Sequence, residues 1–177
     1  MVFVMLIAGI LGAIAIPTLQ DIQNSMAIGE AQRRIASELQ QARLQAVSTN
    51  RPFRVRFNCP SAGYYRTVEL IGTPTLQDAA DNAANRCSPA LYPSPPADVN
   101  PLTRPNHDGP VRRLDPKVAF GAVETIEFWP DGTAHYQDGD INPAWAVIPD
   151  KVSITVTKGT VVKTVTVNGL GKISSTQ

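Results

Sequence analysis

The stretch that decides the fold is MVFVMLIAGILGAIAIP (residues 1–17), which continues as TLQDIQNSMAIGEAQRRIASELQQARLQAVSTNRP (residues 18–52). Residues 1–16 contain no charged side chain and no side-chain amide. As an α-helix they would span about 24 Å, less than the roughly 30 Å hydrocarbon core of a bilayer. The residues that follow are polar on one side, so the sequence predicts one helix with two different surroundings.

Residues 17–50 are predicted to continue this helix in amphipathic form. Apolar residues recur every three or four positions, the spacing of one helix face, at Ile28, Ala31, Ile35, Leu39, Ala42 and Ala46. The pair Arg51 and Pro52 should end the helix, because a residue that precedes proline disfavours helical backbone. Pro17 lacks a backbone donor and should kink or loosen the helix.

Three interpretations of residues 1–16 compete. A secretory signal peptide cut after Ala13-Ile14-Ala15 has the right cleavage pattern, but no basic residue precedes its apolar run. A buried core helix would need protein on every side. A membrane-anchored helix that continues into water fits the amphipathic residues downstream, and is the interpretation we adopt.

The rest of the chain, residues 51–177, is predicted to form a β-rich domain. In Phe53–Phe57 aromatic and valine residues alternate with Arg54 and Arg56, which should share one face of a strand. Further strands are predicted at 64–71, and as two hairpins at 125–136 and 152–167. Residues 73–117 hold nine of the fifteen prolines and show neither period, which predicts a long loop. The fold class is therefore α+β, with a long N-terminal helix packed on antiparallel β-sheets.

Cys59 and Cys87 are the two cysteines, and their spacing fits neither a CxxC pair nor a metal site. We expect a disulfide, which would require an oxidising compartment such as the periplasm. Two reduced, unpaired cysteines are the alternative.

The composition gives no support for catalysis. The net charge is +1, so no global field indicates a polyanionic partner. The two histidines, His107 and His135, are predicted to lie at the surface, and no convergent set of nucleophile and base is evident. The segment 138–142 alternates oxygen ligands as a calcium loop does, but it also reads as an ordinary turn. We predict no catalytic residue, no cofactor and no metal.

The stretch LIAGILGAIAIP (residues 6–17) resembles the N-terminal segment of type IV pilins and type II secretion pseudopilins. Those proteins carry a basic leader, a phenylalanine and a glutamate before the apolar run. We expect the reading frame upstream of Met1 to encode such residues. The resemblance implies that Leu6, Ile7, Ile10, Leu11 and Ile14 pack in a membrane or filament, and that Pro17 lets the helix melt locally.

Three further stretches resemble the GspH/FimT-type pseudopilins: AQRRIASELQQARLQAVSTNRPFRVRF (residues 31–57), IEFWPDGTA (residues 126–134) and VTVNGLGKIS (residues 165–174). This implies a pilin-like fold and a minor pseudopilin of the type II secretion pseudopilus, which serves protein secretion. Implied partners are other pilins, an inner-membrane assembly platform and, for the precursor, prepilin peptidase. The protein would cross the inner membrane once, with its domain in the periplasm. The alternative is a FimT-like minor type IV pilin active in pilus assembly or DNA uptake.

Nucleic acid is a weaker expectation. Some FimT-like proteins bind DNA through a C-terminal Gly-Arg-x-Arg motif, and the matching positions here are Gly171, Lys172, Ile173 and Ser174, with one charge retained. Lys172, Arg54 and Arg56 are therefore candidate phosphate contacts. A solvated strand face is the alternative for the arginines, and we favour it.

Overall fold

The computed structural model of the protein describes residues 2–72, 81, 84–90, 107–121, 123–137 and 145–176, with side chains of the N-terminal helix described from residue 22 onward. Helix α1 spans Val2–Thr49 and continues through Pro17. It ends where predicted: Asn50 has a φ of 55°, a left-handed conformation that commonly terminates helices. The amide of Arg51 then donates to the carbonyl of Ala46 at 3.2 Å.

The predicted apolar row of α1 is the row that packs on the sheets. All six of its residues are buried, and five of them have no exposed surface at all. Because these side chains recur at helical spacing, one straight face of α1 covers the core. The core also takes residues from both sheets, including Phe53, Ile126, Ile154 and Val165.

Ten strands are described. Their bounds are β1 Phe53–Phe57, β2 Tyr64–Glu69, β3 Arg112–Arg113, β4 Ala119–Phe120, β5 Ile126–Phe128, β6 Ala134–Gln137, β7 Trp145–Val147, β8 Lys151–Lys158, β9 Val161–Asn168 and β10 Ile173–Thr176. A short 3₁₀-helix spans Ala84–Cys87.

The strands form two antiparallel sheets. The first has the order β3-β2-β1-β5-β6-β7, and the second has the order β10-β9-β8-β4. In the longest pairing, Ile154 of β8 lies opposite Val165 of β9, which places both in the core. The α+β fold class is thus confirmed: a long N-terminal helix packs on antiparallel sheets.

The described parts of the proline-rich segment 73–117 contain more structure than a loop. Arg112 and Arg113 pair with Tyr65 and Tyr64, and so extend the first sheet beyond β2. The amide of Gly109 donates to the carbonyl of Thr67 at 2.8 Å along the same edge. The prediction of irregular chain throughout this segment is wrong here, because two residues are too few to show a strand period.

Cys59 and Cys87 are joined as a disulfide, with their Cα atoms 5.4 Å apart. This separation lies within the usual range for disulfides. Since Cys59 follows β1 and Cys87 ends the 3₁₀-helix, the bond ties the proline-rich segment to the first sheet.

We expect the double variant Cys59→Ala/Cys87→Ala to have a free energy of unfolding about 3 kcal/mol lower than that of the parent, because the unfolded chain is no longer constrained. Chemical denaturation with and without a reductant measures this. The reductant should shift the midpoint of the parent and leave that of the variant in place. Equal midpoints for the oxidised parent and the variant would contradict the prediction.

Candidate functional site

The residues predicted to pack in a membrane or filament have their backbone in α1. Their side chains lie outside the described residues: Leu6, Ile7, Ile10, Leu11, Ile14 and Pro17. Within the part of the chain that the structure describes, no helix meets the length and apolarity needed to cross a bilayer.

Two polar residues of α1 hold it to the strands. Gln32 is buried, and its Nε2 donates to the carbonyls of Thr164 and Thr176 at 2.7 Å each. Glu38 accepts a hydrogen bond from Thr67 at 2.9 Å and pairs with Arg112 at 2.8 Å. One side chain thus fixes the helix to the second sheet and the other fixes it to the first.

Arg43 joins three distant parts of the chain at the C-terminal end of α1. Its Nε donates to the carbonyl of Gly132 at 3.1 Å, and its Nη2 donates to the carbonyl of Leu170 at 3.0 Å. Gly132 belongs to the turn before β6, and Leu170 belongs to the turn before β10. The three stretches that resemble GspH/FimT-type pseudopilins therefore meet at this one guanidinium, which we call the Arg43 clamp.

The turn between β9 and β10, which we call the closing turn, requires glycine at position 171. Gly171 has a φ of +71°, and a Cβ added there would lie 2.6 Å from Nε of Arg43 and nearer still to the carbonyl oxygen of Gly132. L-residues with a side chain rarely adopt this backbone conformation. The turn can approach Arg43 this closely only because position 171 has no side chain.

Arg54 is not on a solvated strand face, and that prediction is wrong. Its side chain is fully buried and forms an ion pair with Glu127, which is also buried. Its Nε donates to Oε1 of Glu127 at 2.9 Å, and its guanidinium lies 4.2 Å from the ring centroid of Trp145. A side chain held in this way is not available to contact phosphate.

A second buried charge cluster lies beside the first sheet. Arg86 pairs with Asp108 at 3.0 Å and with Asp81 at 3.4 Å, and all three side chains are buried. Arg66 is also buried, and it donates to the carbonyls of Gly109 at 2.7 Å and Arg86 at 2.9 Å. These contacts attach the proline-rich segment to β2, on the sheet face opposite α1.

Burial is the largest effect on the pKa of two buried carboxyl groups, Glu127 and Asp108. It raises the pKa of Glu127 and of Asp108 above the usual range, while Arg54 and Arg86 respectively oppose the shift. The two arginines thus favour the ionised form of these carboxyl groups, but burial outweighs their effect on the pKa.

The other two candidate phosphate contacts, Arg56 and Lys172, lie in different parts of the fold. Arg56 lies in β1 of the first sheet, and burial followed by the charges of Arg54 and Arg86 lowers its pKa. Lys172 is exposed and lies just before β10 of the second sheet. The structure does not bring the three predicted residues to one surface.

The two histidines differ. His107 is exposed, as predicted, and its Nδ1 lies 2.9 Å from the buried carboxylate of Glu69. His135 is buried, which corrects the prediction of a surface histidine. Its ring stacks on Trp129 with centroids 3.5 Å apart, because hairpin residues 129 and 135 share one face.

Burial lowers the pKa of His135, and the weaker opposing effect of Asp131 does not cancel it. The unfolded state therefore takes up the proton first, and stability falls as pH drops below about 6.5. We expect His135→Phe to lack this pH dependence.

In the parent, the free energy of unfolding should fall by up to about 1.4 kcal/mol per pH unit as the pH drops. The difference between the unfolding free energies of parent and variant, measured from pH 7.5 to 5.5, shows this effect. Parallel curves would contradict the prediction.

No cluster of three or more metal-ligating side chains occurs among the described residues. The calcium-like segment 138–142 lies outside them. The described part of the chain is a helix held to two sheets, and its buried charged side chains make internal contacts.

A long N-terminal helix that packs through its second part on antiparallel sheets defines a pilin-like protein. Compared with solved structures, the chain is similar to the type IV minor pilin FimU of Pseudomonas aeruginosa strain PAO1. The TM-score is 0.50 and the identity is 13%, over 84% of this chain and 92% of that chain, so the similarity is one of fold.

The family model described as type II transport protein GspH matches residues 31–171. The chain therefore belongs to the GspH family. No curated protein matches its sequence.

Proposed function

We propose that this chain is a minor pseudopilin, a structural subunit of the type II secretion pseudopilus. The observation that carries the proposal is the single helix Val2–Thr49. Its second part packs on the sheets, and its first part lies in residues 1–16, which carry no charge. The description of the matching family as a type II transport protein supports the choice of filament.

Before assembly, residues 1–16 would anchor the protein in the inner membrane as a single pass, with residues 51–177 in the periplasm. The Cys59–Cys87 disulfide supports an oxidising compartment. Prepilin peptidase would process the full-length precursor, and an inner-membrane assembly platform would move the subunit into the filament. Lipid tails and apolar side chains are similar surroundings, so the transfer would cost little free energy.

In the filament, Leu6, Ile7, Ile10, Leu11 and Ile14 would pack against equivalent helices. Pro17 removes one backbone donor, so the helix can loosen at that point and adapt to its neighbours.

The test is in vivo photo-crosslinking from residues 7 and 10. A photoreactive amino acid replacing Ile7 or Ile10 should give products with other pilin-like proteins, because apolar helices pack within van der Waals distance. The matched control carries the same amino acid at Ser153, an exposed residue of β8. If positions 7 and 10 gave no more pilin-containing product than position 153, the proposal would be wrong.

A second candidate is a minor type IV pilin, which the structural similarity to FimU favours. Deletion of the gene separates the two: a pseudopilin deletion abolishes secretion of exported proteins, whereas a minor pilin deletion abolishes surface pili. Participation in DNA uptake is not favoured, because Arg54 is buried, Arg56 lies in β1 of the first sheet, and Lys172 lies just before β10 of the second.

A further inference from the structure

One end of the domain lies toward the apolar N-terminal residues, and the direction of β9 identifies it. The carbonyl of Thr164 in β9 accepts a hydrogen bond from Gln32. Further along, the carbonyl of Leu170 accepts one from Arg43. Strand β9 thus runs in the same direction as α1. The turn between β8 and β9, at residues 159–160, therefore lies toward the N-terminus of α1.

Two further contacts bring lysine side chains to this end. A Cβ added to Gly29 would lie 3.6 Å from Nζ of Lys163, so this ammonium group lies beside α1. Ala119 of β4 pairs with Thr157 of β8, which places the residues just before β4, including the exposed Lys117, at the level of the β8–β9 turn.

Positive charge is in excess here. The end holds five cationic side chains and two carboxylates: Arg34, Arg113, Lys117, Lys158 and Lys163, with Glu30 and Asp115. We call this set the basic end.

Only two of its cations have a carboxylate partner among the described residues. Arg34 pairs with Glu30. Lys158 pairs with Asp115 at 3.8 Å. Five cations and two carboxylates leave an excess of three positive charges, whereas the whole chain has a net charge of +1. The positive charge is therefore concentrated at this end.

The basic end lies close to the uncharged segment 1–16. The β8–β9 turn precedes Thr164 by four residues, about 13 Å along the strand, which places it near the level of residues 23–25 of α1. Along the helix axis this level is about 12 Å from residue 16. If residues 1–16 lie in a bilayer, headgroups occupy about 5–7 Å of that distance. The gap that is left is shorter than the Debye length of about 8 Å at physiological ionic strength, so charge on the bilayer surface would act on these cations.

We propose that the basic end binds the anionic headgroups of the membrane that anchors the chain, and so holds the domain against the bilayer before assembly. Each cationic side chain near an anionic lipid surface favours contact by about fivefold. Lys117 and Lys163 contribute most, because their charges are on flexible stems and have no carboxylate partner among the described residues. Val162, which is 56% exposed on the same hairpin, adds an apolar side chain, a combination typical of interfacial binding.

The inference rests on the proposed function, because it requires residues 1–16 to lie in a membrane. The contact is electrostatic and made at the surface, so it is reversible and would be lost when the subunit enters the filament.

Fluorescence quenching in vesicles that contain the full chain tests the proposal. Thr160→Cys carries the fluorescent label at the β8–β9 turn, and the two native cysteines do not react because they are joined in the disulfide. One set of vesicles is phosphatidylcholine, and the other also contains the anionic lipid phosphatidylglycerol. Both contain a lipid with a nitroxide quencher on its headgroup.

Quenching should be at least about twofold stronger in the anionic vesicles at low salt, because the basic end brings the label to the headgroups. The difference should disappear in about 1 M salt, where the Debye length is about 3 Å. Equal quenching in the two sets of vesicles at low salt would overturn the proposal.

Two double variants that remove the same amount of charge locate the effect. Lys117→Gln/Lys163→Gln should reduce the difference in quenching to less than about half, because two cations of the basic end are lost. Lys151→Gln/Lys172→Gln removes two exposed lysines at the opposite end of β8 and β9, and should leave the difference unchanged. Equal reductions by the two variants would overturn the assignment to the basic end.

Flotation of the same vesicles separates this inference from the proposed function. A chain that floats with both sets of vesicles but is quenched equally in them would overturn the headgroup contact and leave the proposed function standing. Flotation with anionic vesicles alone, and only at low salt, would overturn the membrane anchor. If Lys117→Gln/Lys163→Gln abolished that flotation, the result would still support binding of anionic lipid by the basic end.

Discussion

Replacing Arg54 with methionine is expected to lower the free energy of unfolding by about 3–5 kcal/mol at neutral pH. The arginine is fully buried against Glu127, and methionine fills a similar volume without the charge. Glu127 would then be a buried carboxylate without its main cation. Chemical denaturation followed by tryptophan fluorescence measures the loss, and Trp129 and Trp145 lie beside the pair.

The pH dependence of this variant has a definite sign. Burial already raises the pKa of Glu127, and removal of Arg54 takes away the interaction that opposes the shift. A carboxyl group whose folded pKa exceeds its unfolded value favours folding below the unfolded pKa, and that contribution is lost as pH rises through the folded pKa. Arg54→Met should therefore regain stability relative to the parent as pH is lowered from 7 toward about 4.5.

Two controls separate the effect of breaking the Arg54–Glu127 ion pair from a nonspecific loss of stability. Arg33→Met removes an exposed arginine of α1 and should change stability by no more than about 0.5 kcal/mol. Arg54→Met/Glu127→Met removes both charges and should recover most of the loss, because no unpaired charge stays buried. If Arg54→Met were as stable as Arg33→Met, the ion pair would not be buried as described.

The buried charges explain why the proline-rich segment can pack on a sheet. Its described residues Asp81, Arg86 and Asp108 attach it through hydrogen bonds and ion pairs. For example, the amides of Ile71 and Gly72 donate to Asp81 at 2.8 and 3.0 Å. Such contacts depend on one another, so the loss of one partner weakens the attachment made by the others. The disulfide adds a covalent restraint at the same place.

Much of the fold could be predicted because its signals are local. The buried row of α1 follows from helical spacing, and the hairpin Val152–Val167 follows from alternation around a turn. The strands β3, β4 and β7 have two or three residues each, too few for a period.

The buried network could not be predicted from local pattern. Alternation in β1 indicates that Arg54 shares a face with Arg56, but it does not indicate what covers that face. The partner Glu127 lies 73 residues further along the chain, and Asp81 and Arg86 come from a segment without period. The Arg43 clamp was missed for the same reason, although the three resembling stretches contain all of its members.

Gly171→Ala is expected to lower the free energy of unfolding by about 2–5 kcal/mol: about 1–2 from the left-handed backbone and about 1–3 from crowding against Arg43 and Gly132. Gly159→Ala is the matched control, because Gly159 also has a positive φ, +59°, but a Cβ there would meet nothing within 4 Å. It should therefore cost only the backbone part, about 1–2 kcal/mol.

The double variant Arg43→Ala/Gly171→Ala tests whether the crowding is at the clamp. Removing the guanidinium relieves the contact with Nε of Arg43, so the two losses should sum to more than the double variant loses. The carbonyl of Gly132 still crowds position 171, so relief is partial. If Gly171→Ala and Gly159→Ala lowered the free energy of unfolding equally in denaturation experiments, position 171 would not be crowded by Arg43 of α1.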